Sequence, residues 1–448
     1  MIRKLLTRVG RVFSKAPNAN KPALLSVNRH GVRSESISSA ARQTVTRLQE
    51  NGYSAYVVGG AVRDLIAGIE PKDYDVATDA TPEQVRGIFR RSRIIGRRFR
   101  IVHVMSGSET IEVSTFRAGA SEESETLTDE HGRVLRDNVF GNIAEDAARR
   151  DFTVNALYYN PTNETILDYH HGVADLKQKT LRMIGDPEKR YREDPIRMLR
   201  AVRMASKLGL TIDPATREPI REMADLLDNV PAARLFDEML KLLLSGHAVE
   251  CLKQLREEGL HHGLLPLLDV IMEQPLGERF VWLSLGNTDD RVREGKPVSP
   301  GFLFATLIWH EMLAAWAARK EHGENATVAL HDAMDEVLDI QAKKLAITRR
   351  IAGDIKDIWA LQPRFENRSG KRPLRLLEQG RFKASLDFLL LRAASGEVPQ
   401  ELADWWLNFL EADSHQRESM LMPEKKPARR RVRRTKPAGD SNKPEPTE

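Results

Sequence analysis

The sequence holds a single cysteine, Cys251, in 448 residues. One thiol builds neither an internal disulfide framework nor a multi-thiolate metal site, and it suits a reducing compartment, which points to the cytoplasm. Long apolar runs are missing as well: no stretch approaches the roughly 18 residues that a membrane-spanning helix needs. Acids are absent from residues 1–34, where eight Lys and Arg stand, and an apolar secretory core is absent there too. What remains, 41% hydrophobic and 30% charged, is the composition of a soluble chain long enough for two or three domains.

The net charge of +5 is unevenly placed. Residues 1–34 carry +8 and residues 423–448 carry +5, which leaves about −8 for everything between. Two basic arms on a slightly acidic body suggest a polyanionic partner, with solubilising tails as the plainer alternative. In the first arm Ile2, Leu5, Leu6, Val9, Val12 and Phe13 recur at helical spacing among Arg3, Lys4, Arg8, Arg11 and Lys15. That is a short basic amphipathic helix, expected to make a weak peripheral contact with a membrane or with RNA, with a targeting segment as the alternative. Residues 1–39 therefore form a basic segment and linker.

From Ala40 to about Asn160 strand and helix alternate. "AYVVGG" reads as a buried strand, "AVRDLIAG" as a short helix closed by Gly68, and "KDYDVAT" as a second strand. Thr81, Pro82 and Gln84 supply an N-cap, a first-turn proline and a capping-box partner for a helix to about Phe89. "FRIVHVM" and "TIEVSTFR" read as two further strands. After Asp175 helical periodicity takes over almost completely, and Trp309, Trp316, Trp359, Trp405 and Trp406 read as core residues. The expected divisions are an α/β head at 40–175, a helical stretch at 176–250, further helices at 251–422 and a disordered polybasic tail at 423–448.

The chemistry centres on "VGGAVRDLIAGIEPKDYDVAT". On a strand, Asp73 and Asp75 project to one face while Tyr74 and Val76 point away. Two converging anions form a seat for a cation, and magnesium favours such oxygen donors together with substrate phosphates. Glu112 falls on a later strand; if that strand lies beside the first, the three acids can hold two metal ions. Gly59 and Gly60 let backbone amides approach a phosphate, and Arg63 or Lys72 adds charge.

This stretch, with "RRDFTVNALYY" at 149–159 and "RYREDPIRMLRAVRMASKLG" at 190–209, resembles the class II nucleotidyltransferase superfamily. Its members are the bacterial poly(A) polymerases and the tRNA CCA-adding enzymes. The resemblance implies an α+β multidomain protein: a polymerase-β-like head with a mixed sheet, then an all-α neck, body and tail that hold RNA. It implies Asp73 and Asp75 as metal ligands for two magnesium ions, with manganese as an alternative, and Glu112 as the supporting acid. Arg150, Asp151 and Asn155 match the motif that holds ribose and triphosphate, and Asp151 belongs either to the catalytic constellation or to the N-cap of the following segment.

In "EDPIR" the resemblance makes Asp194 and Arg197 the readers of the incoming base, although Asp194 before Pro195 also has the form of an N-cap. Arg197, Arg200 and Lys207 share a helix face suited to phosphate or base contact, or simply to solvent. "IIGRRFRIVHVMSG" at 94–107 resembles the bacterial poly(A) polymerase branch, and its Arg97, Arg98 and Arg100 are expected to contact RNA or triphosphate phosphates; His103 reads equally as a core histidine. So do "PAARLFDEMLKLLLSGHA" at 231–248 and "SPGFLFATLIWHEML" at 299–313.

From Lys425 to Lys436 eight basic residues, among them Arg429, Arg430, Arg431, Arg433 and Arg434, stand without an acid and are expected to track RNA. Full engagement would give a salt slope of about −5 to −6. The implied activity is template-independent addition of AMP from ATP to RNA 3′ ends, in support of RNA processing and decay. CCA addition to tRNA and a non-catalytic RNA-binding adaptor are the alternatives. RNA-decay or RNA-chaperone proteins are the expected protein partners.

Overall fold

The computed structural model describes residues 21–96, 100–118, 140–262, 264 and 271–423. The chain divides into two compact units, Met1–Lys356 and Asp357–Glu448. The stretches expected as head and neck both lie in the first.

The first unit is built on one eight-stranded sheet. Its strands are β1 (Ala23–Leu25), β2 (Ala55–Val58), β3 (Asp75–Thr78), β4 (Ser92–Ile95), β5 (Ile101–Ser106), β6 (Glu109–Thr115), β7 (Leu157–Asn160) and β8 (Thr165–Asp168). Their order is β1-β8-β7-β2-β3-β6-β5-β4. All neighbours are antiparallel except β3 and β6, which run parallel. The stretch expected as linker thus contributes the edge strand β1; three residues are too few to show an alternation in sequence.

Period-two alternation sorts the sheet faces. Val57, Val76, Val113 and Val102 pair across four strands and are buried, beneath α1 (Ser39–Glu50) and α3 (Pro82–Ile88). Helix α3 starts as expected, with the Thr81–Gln84 capping box formed in both directions. Between β2 and β3 lies α2 (Gly60–Ile66). On the other face α4 (Ile143–Ala148) lays Ala147 against Val58, Ala77, Phe116 and Tyr158.

Beyond β8 come α5 (Gly172–Lys177), β9 (Thr180–Leu181), α6 (Pro187–Glu193), α7 (Ile196–Leu208), β10 (Thr211–Ile212) and α8 (Ala232–Leu243). The parallel pair β9 and β10 interrupts what the sequence presents as helix; two residues each carry no periodic signal. Helix α7 buries Ile196, Leu199, Val202 and Ala205 and ends at Gly209 in the left-handed conformation. Further helices follow to Ala342, and Trp309 is core there while Trp316 is half-buried.

In the second unit the helices Phe382–Ser395 and Gln400–Glu411 close over Phe365, Leu386, Trp406 and Phe409. Trp406 is fully buried because its indole N–H donates to the Phe365 carbonyl at 2.8 Å. Trp359 is buried too, whereas Trp405 stays partly exposed, stacked on Phe409.

Candidate active site

The sheet ends in a glycine turn beside paired acids. Gly59 follows β2 at φ 69°, and a Cβ there would lie 3.3 Å from Arg150 Nη1, so both conformation and space favour glycine. The chain returns in β3, whose first residue, Asp75, pairs with Val58 on one side and with Glu112 of β6 on the other. The strand is shorter than expected, because Asp73 stands in the lead-in two residues before it. Alternation nevertheless holds: Tyr74 and Val76 are buried, and Asp73 and Asp75 are open.

Asp75 carries a carboxyl whose pKa is pushed up to about 6, first by surrounding protein and then by the charges of Glu112 and Asp73, against the pull of Arg150. Glu112 also meets His103 Nε2, 3.3 Å from its Oε1. His103 is therefore half-buried beside an acid and not a core histidine. Among the described residues no three Asp, Glu, His or Cys side chains are gathered into a metal cluster, so the expected triad is not preassembled.

Asp75 opens on a cavity of about 580 Å³. Its walls are the glycine turn, Arg149 to Asp151 with Asn155, the start of α7 with Asp194, Arg197 and Arg200, and the α8 residues Arg234, Asp237, Glu238 and Lys241. The arginines of these walls engage two acids, Asp146 behind them and Asp151 within them. Asp146, 1% exposed, accepts from Arg149 Nε and Nη2 at 2.9 and 2.6 Å, from Arg150 Nη2 at 3.1 Å and from the Tyr158 hydroxyl at 2.7 Å. Asp151 Oδ1 accepts from Phe152 N and Asn155 Nδ2, and its Oδ2 from Arg200 Nε at 2.7 Å. Burial pushes both carboxyls up, but the arginine charges and hydrogen bonds outweigh it and hold both below the ordinary range.

Arg63 is likewise internal, 5% exposed, with Nη1 on Asn155 Oδ1 at 2.6 Å and Nε on Asp64 Oδ1. Lys207 reaches Asp64 Oδ2 at 2.9 Å, which ties α7 to α2. Asp194 is not the N-cap of α7, where Pro195 holds that position; it stands at the C-cap of α6, its backbone N–H donating to the Arg190 carbonyl. Its Oδ2 accepts from Arg234 at 2.9 Å, while Oδ1 is shut from solvent without a hydrogen-bond partner. Arg197 lines the cavity with Nη1 on the Arg190 carbonyl at 2.6 Å and on Glu193 at 2.8 Å.

Residues 55–182 match the Poly A polymerase head domain, 209–272 match the probable RNA and SrmB-binding site of polymerase A, and 322–438 match the polymerase A arginine-rich C-terminus. The chain is 44% identical to the poly(A) polymerase I of Salmonella typhi, over 97% of this chain and 96% of that one. The chain belongs to the poly(A) polymerase I family. By contrast, 38% identity to the CCA-adding enzyme of Levilactobacillus brevis spans 49% of this chain and 54% of that enzyme. A solved tRNA-processing enzyme in its apo form, 22% identical, superposes with a TM-score of 0.55 over 86% of this chain and 97% of its own, which places the chain in the same fold.

Within this poly(A) polymerase family member the expected site residues fall into two groups. Asp75, Gly59, Gly60, Arg150, Asp194, Arg197 and Arg200 meet at the cavity, with Glu112 beside Asp75. Asp151, Asn155 and Arg63 also reach it, but their polar atoms hold one another, so they position neighbours and offer no free oxygen to a metal. Asp151 and Lys207 take up partners in the chain where catalysis and phosphate contact were the expectations. Lys72 is exposed and outside the cavity lining, and Arg100 pairs with Glu83. Arg97, Arg98 and Arg429 to Arg434 lie outside the described residues.

Sequence reasoning missed Asp146, Tyr158 and the α8 wall. Asp146 stands three and four residues before Arg149 and Arg150, a helical spacing that marks a carboxylate able to hold both. Arg234, Glu238 and Lys241 likewise fall at helical spacing, and Glu238 is fixed by Arg203 Nε at 2.7 Å.

Proposed function

We propose that this chain transfers AMP from ATP to the 3′-hydroxyl of RNA without a template and releases pyrophosphate. One observation carries this: Asp75, in register with Glu112, borders an arginine-lined cavity in a chain that is like poly(A) polymerases over 97% of its length. Asp75 and Asp73 are the residues that would hold magnesium, or manganese. The donors are hard oxygens, and Asp75 is crowded by negative charge with no hydrogen-bonded cation among the described residues, which is the surrounding a divalent ion relieves. Bound there, the ion supplies Lewis-acid polarisation of the phosphate and a lower pKa for the attacking hydroxyl.

The chain's own residues do the rest. The glycine turn admits the triphosphate close to the backbone, and Arg149 and Arg150, held by Asp146, face its charge. Asp194 and Arg197, both lining the cavity, offer an acceptor and donors to the polar edge of adenine. The RNA 3′-oxygen attacks the α-phosphorus in line as the bond to pyrophosphate breaks. We place this work in the cytoplasm, on RNA ends bound for processing or decay.

The test supplies ATP or CTP with either an A-ending RNA or a tRNA lacking its terminal CCA. Long A tails from ATP are expected. CTP-dependent completion of the tRNA would replace this function with CCA addition, and no magnesium-dependent nucleotide binding would leave an RNA-binding adaptor.

A further inference from the structure

Among the described residues, the sheet face that carries the acids is covered at one end and bare at the other. Over β7, β2 and β3, α4 packs Ala147 onto Val58, Ala77 and Tyr158. Over β6, β5 and β4 the same face presents a row level with the acids: Asp75 pairs with Glu112, Glu112 with His103, and His103 with Arg93. Residues paired across adjacent strands point to the same side, so these four stand in line. Beside the row lie Ile95, 42% exposed, and the half-buried Ile101 and Met105. Val102 and Val104, pointing the opposite way, are buried.

We propose that this bare face seats the last nucleotides of the acceptor RNA, so that the 3′-hydroxyl reaches Asp75 from the β4 side. The inference rests on the adenylyl-transfer reading and says where its second substrate lies. Continuity argues for it: from Asp75 to Arg93 is three strand spacings, about 14 Å, enough for a short run of nucleotides. Chemistry argues for it too. An open sheet surface is a common platform for single-stranded RNA because splayed bases lie flat on outward side chains. Ile95, Ile101 and Met105 give those bases apolar contact without reading their edges, and Arg93 meets a phosphate. A surface of this kind accepts any sequence, which an enzyme that extends diverse RNA ends requires.

The experiment uses the full chain carrying Arg93→Ala, or Arg93→Glu with Ile95→Glu. Both positions are exposed on the edge strand, so folding is retained, and a thermal melt checks it. Equilibrium titration of fluorescent oligo(A) without ATP should show affinity down by about tenfold for the double variant and a salt slope shallower by about 0.7 for Arg93→Ala. In turnover the KM for RNA rises while the KM for ATP and kcat at saturating RNA stay near wild type. RNA with a photoreactive 3′-terminal base should crosslink within 91–96 or 100–106. Unchanged RNA affinity and slope, or crosslinks confined to other segments, overturn the proposal. Because binding is read without ATP, a wild-type protein that adds no AMP refutes the transfer reading separately.

Discussion

The acids at the end of the sheet and the acids at its seam with the helices meet opposite surroundings. Asp73, Asp75 and Glu112 lie close to one another and apart from hydrogen-bonding arginines, and Asp75 is accordingly reluctant to ionise. Asp146, Asp151 and Asp64 are more deeply buried, yet each is gripped by cations and hydrogen bonds, and the first two ionise more readily than an ordinary carboxylate. Burial alone therefore does not decide a carboxylate's state; the partners do. Among the described residues one set crowds its own negative charge, while the other is neutralised from within.

Replacing Asp75 by Asn breaks the crowded set and should have the largest effect, loss of AMP addition by about 10³-fold or more, read by primer extension. Stability should move the other way. The folded pKa of Asp75, about 6, lies above the ordinary 3.8, so folding takes up a proton between those values and the ionised group is a cost above them. In chelator, Asp75→Asn should melt higher than wild type at pH 7, and the gain should vanish below about pH 4. Equal melting temperatures at pH 7 would show that the crowding of acids is not felt.

Replacing Asp146 by Ala breaks the neutralised set and should give the inverse signature. Arg149 and Arg150 lose the carboxylate that holds both, and a buried charge left without its partner costs about 3 kcal/mol or more in chemical denaturation. The sign with pH is opposite as well. Because Asp146 ionises below the ordinary range, its contribution is present above about pH 4 and is lost as pH falls further. The KM for ATP should rise with the loosened arginines. A stable variant with wild-type KM would mean that Asp146 fills space without positioning anything.

How much of this was legible depended on the range of the interaction. Alternation at Asp73 to Val76, the Thr81 capping box and the turn at Gly59 are local, and each appears in the structure as its residue types dictate. The neighbourhood of Glu112 and Asp75 needed a strand pairing across 37 positions, and only its consequence was readable in advance. The grip on Asp151 was not readable, because a carboxylate within a charged motif looks the same in sequence whether it is free or held. What decides is Arg200, 49 residues away, and the helix that brings it there. Strand β1 and the pair β9 and β10 escaped because two or three residues hold no period.

Lys207 tests the comparison at its weakest join. Its ammonium meets Asp64 Oδ2 at 2.9 Å and remains 27% exposed, so water competes for it. Asp64 also accepts from Arg63 Nε and Nη2 on Oδ1, at 2.8 and 2.6 Å. Removing the lysine therefore strands no buried charge: the carboxylate keeps one guanidinium, and the ammonium's place can be taken by solvent. Lys207→Ala should lower stability by only about 1 kcal/mol, well below the Asp146 effect, with AMP addition nearly unchanged. If addition collapsed while stability held, the join between α2 and α7 would belong to the chemistry, and the division between crowded and neutralised acids would fail at that point.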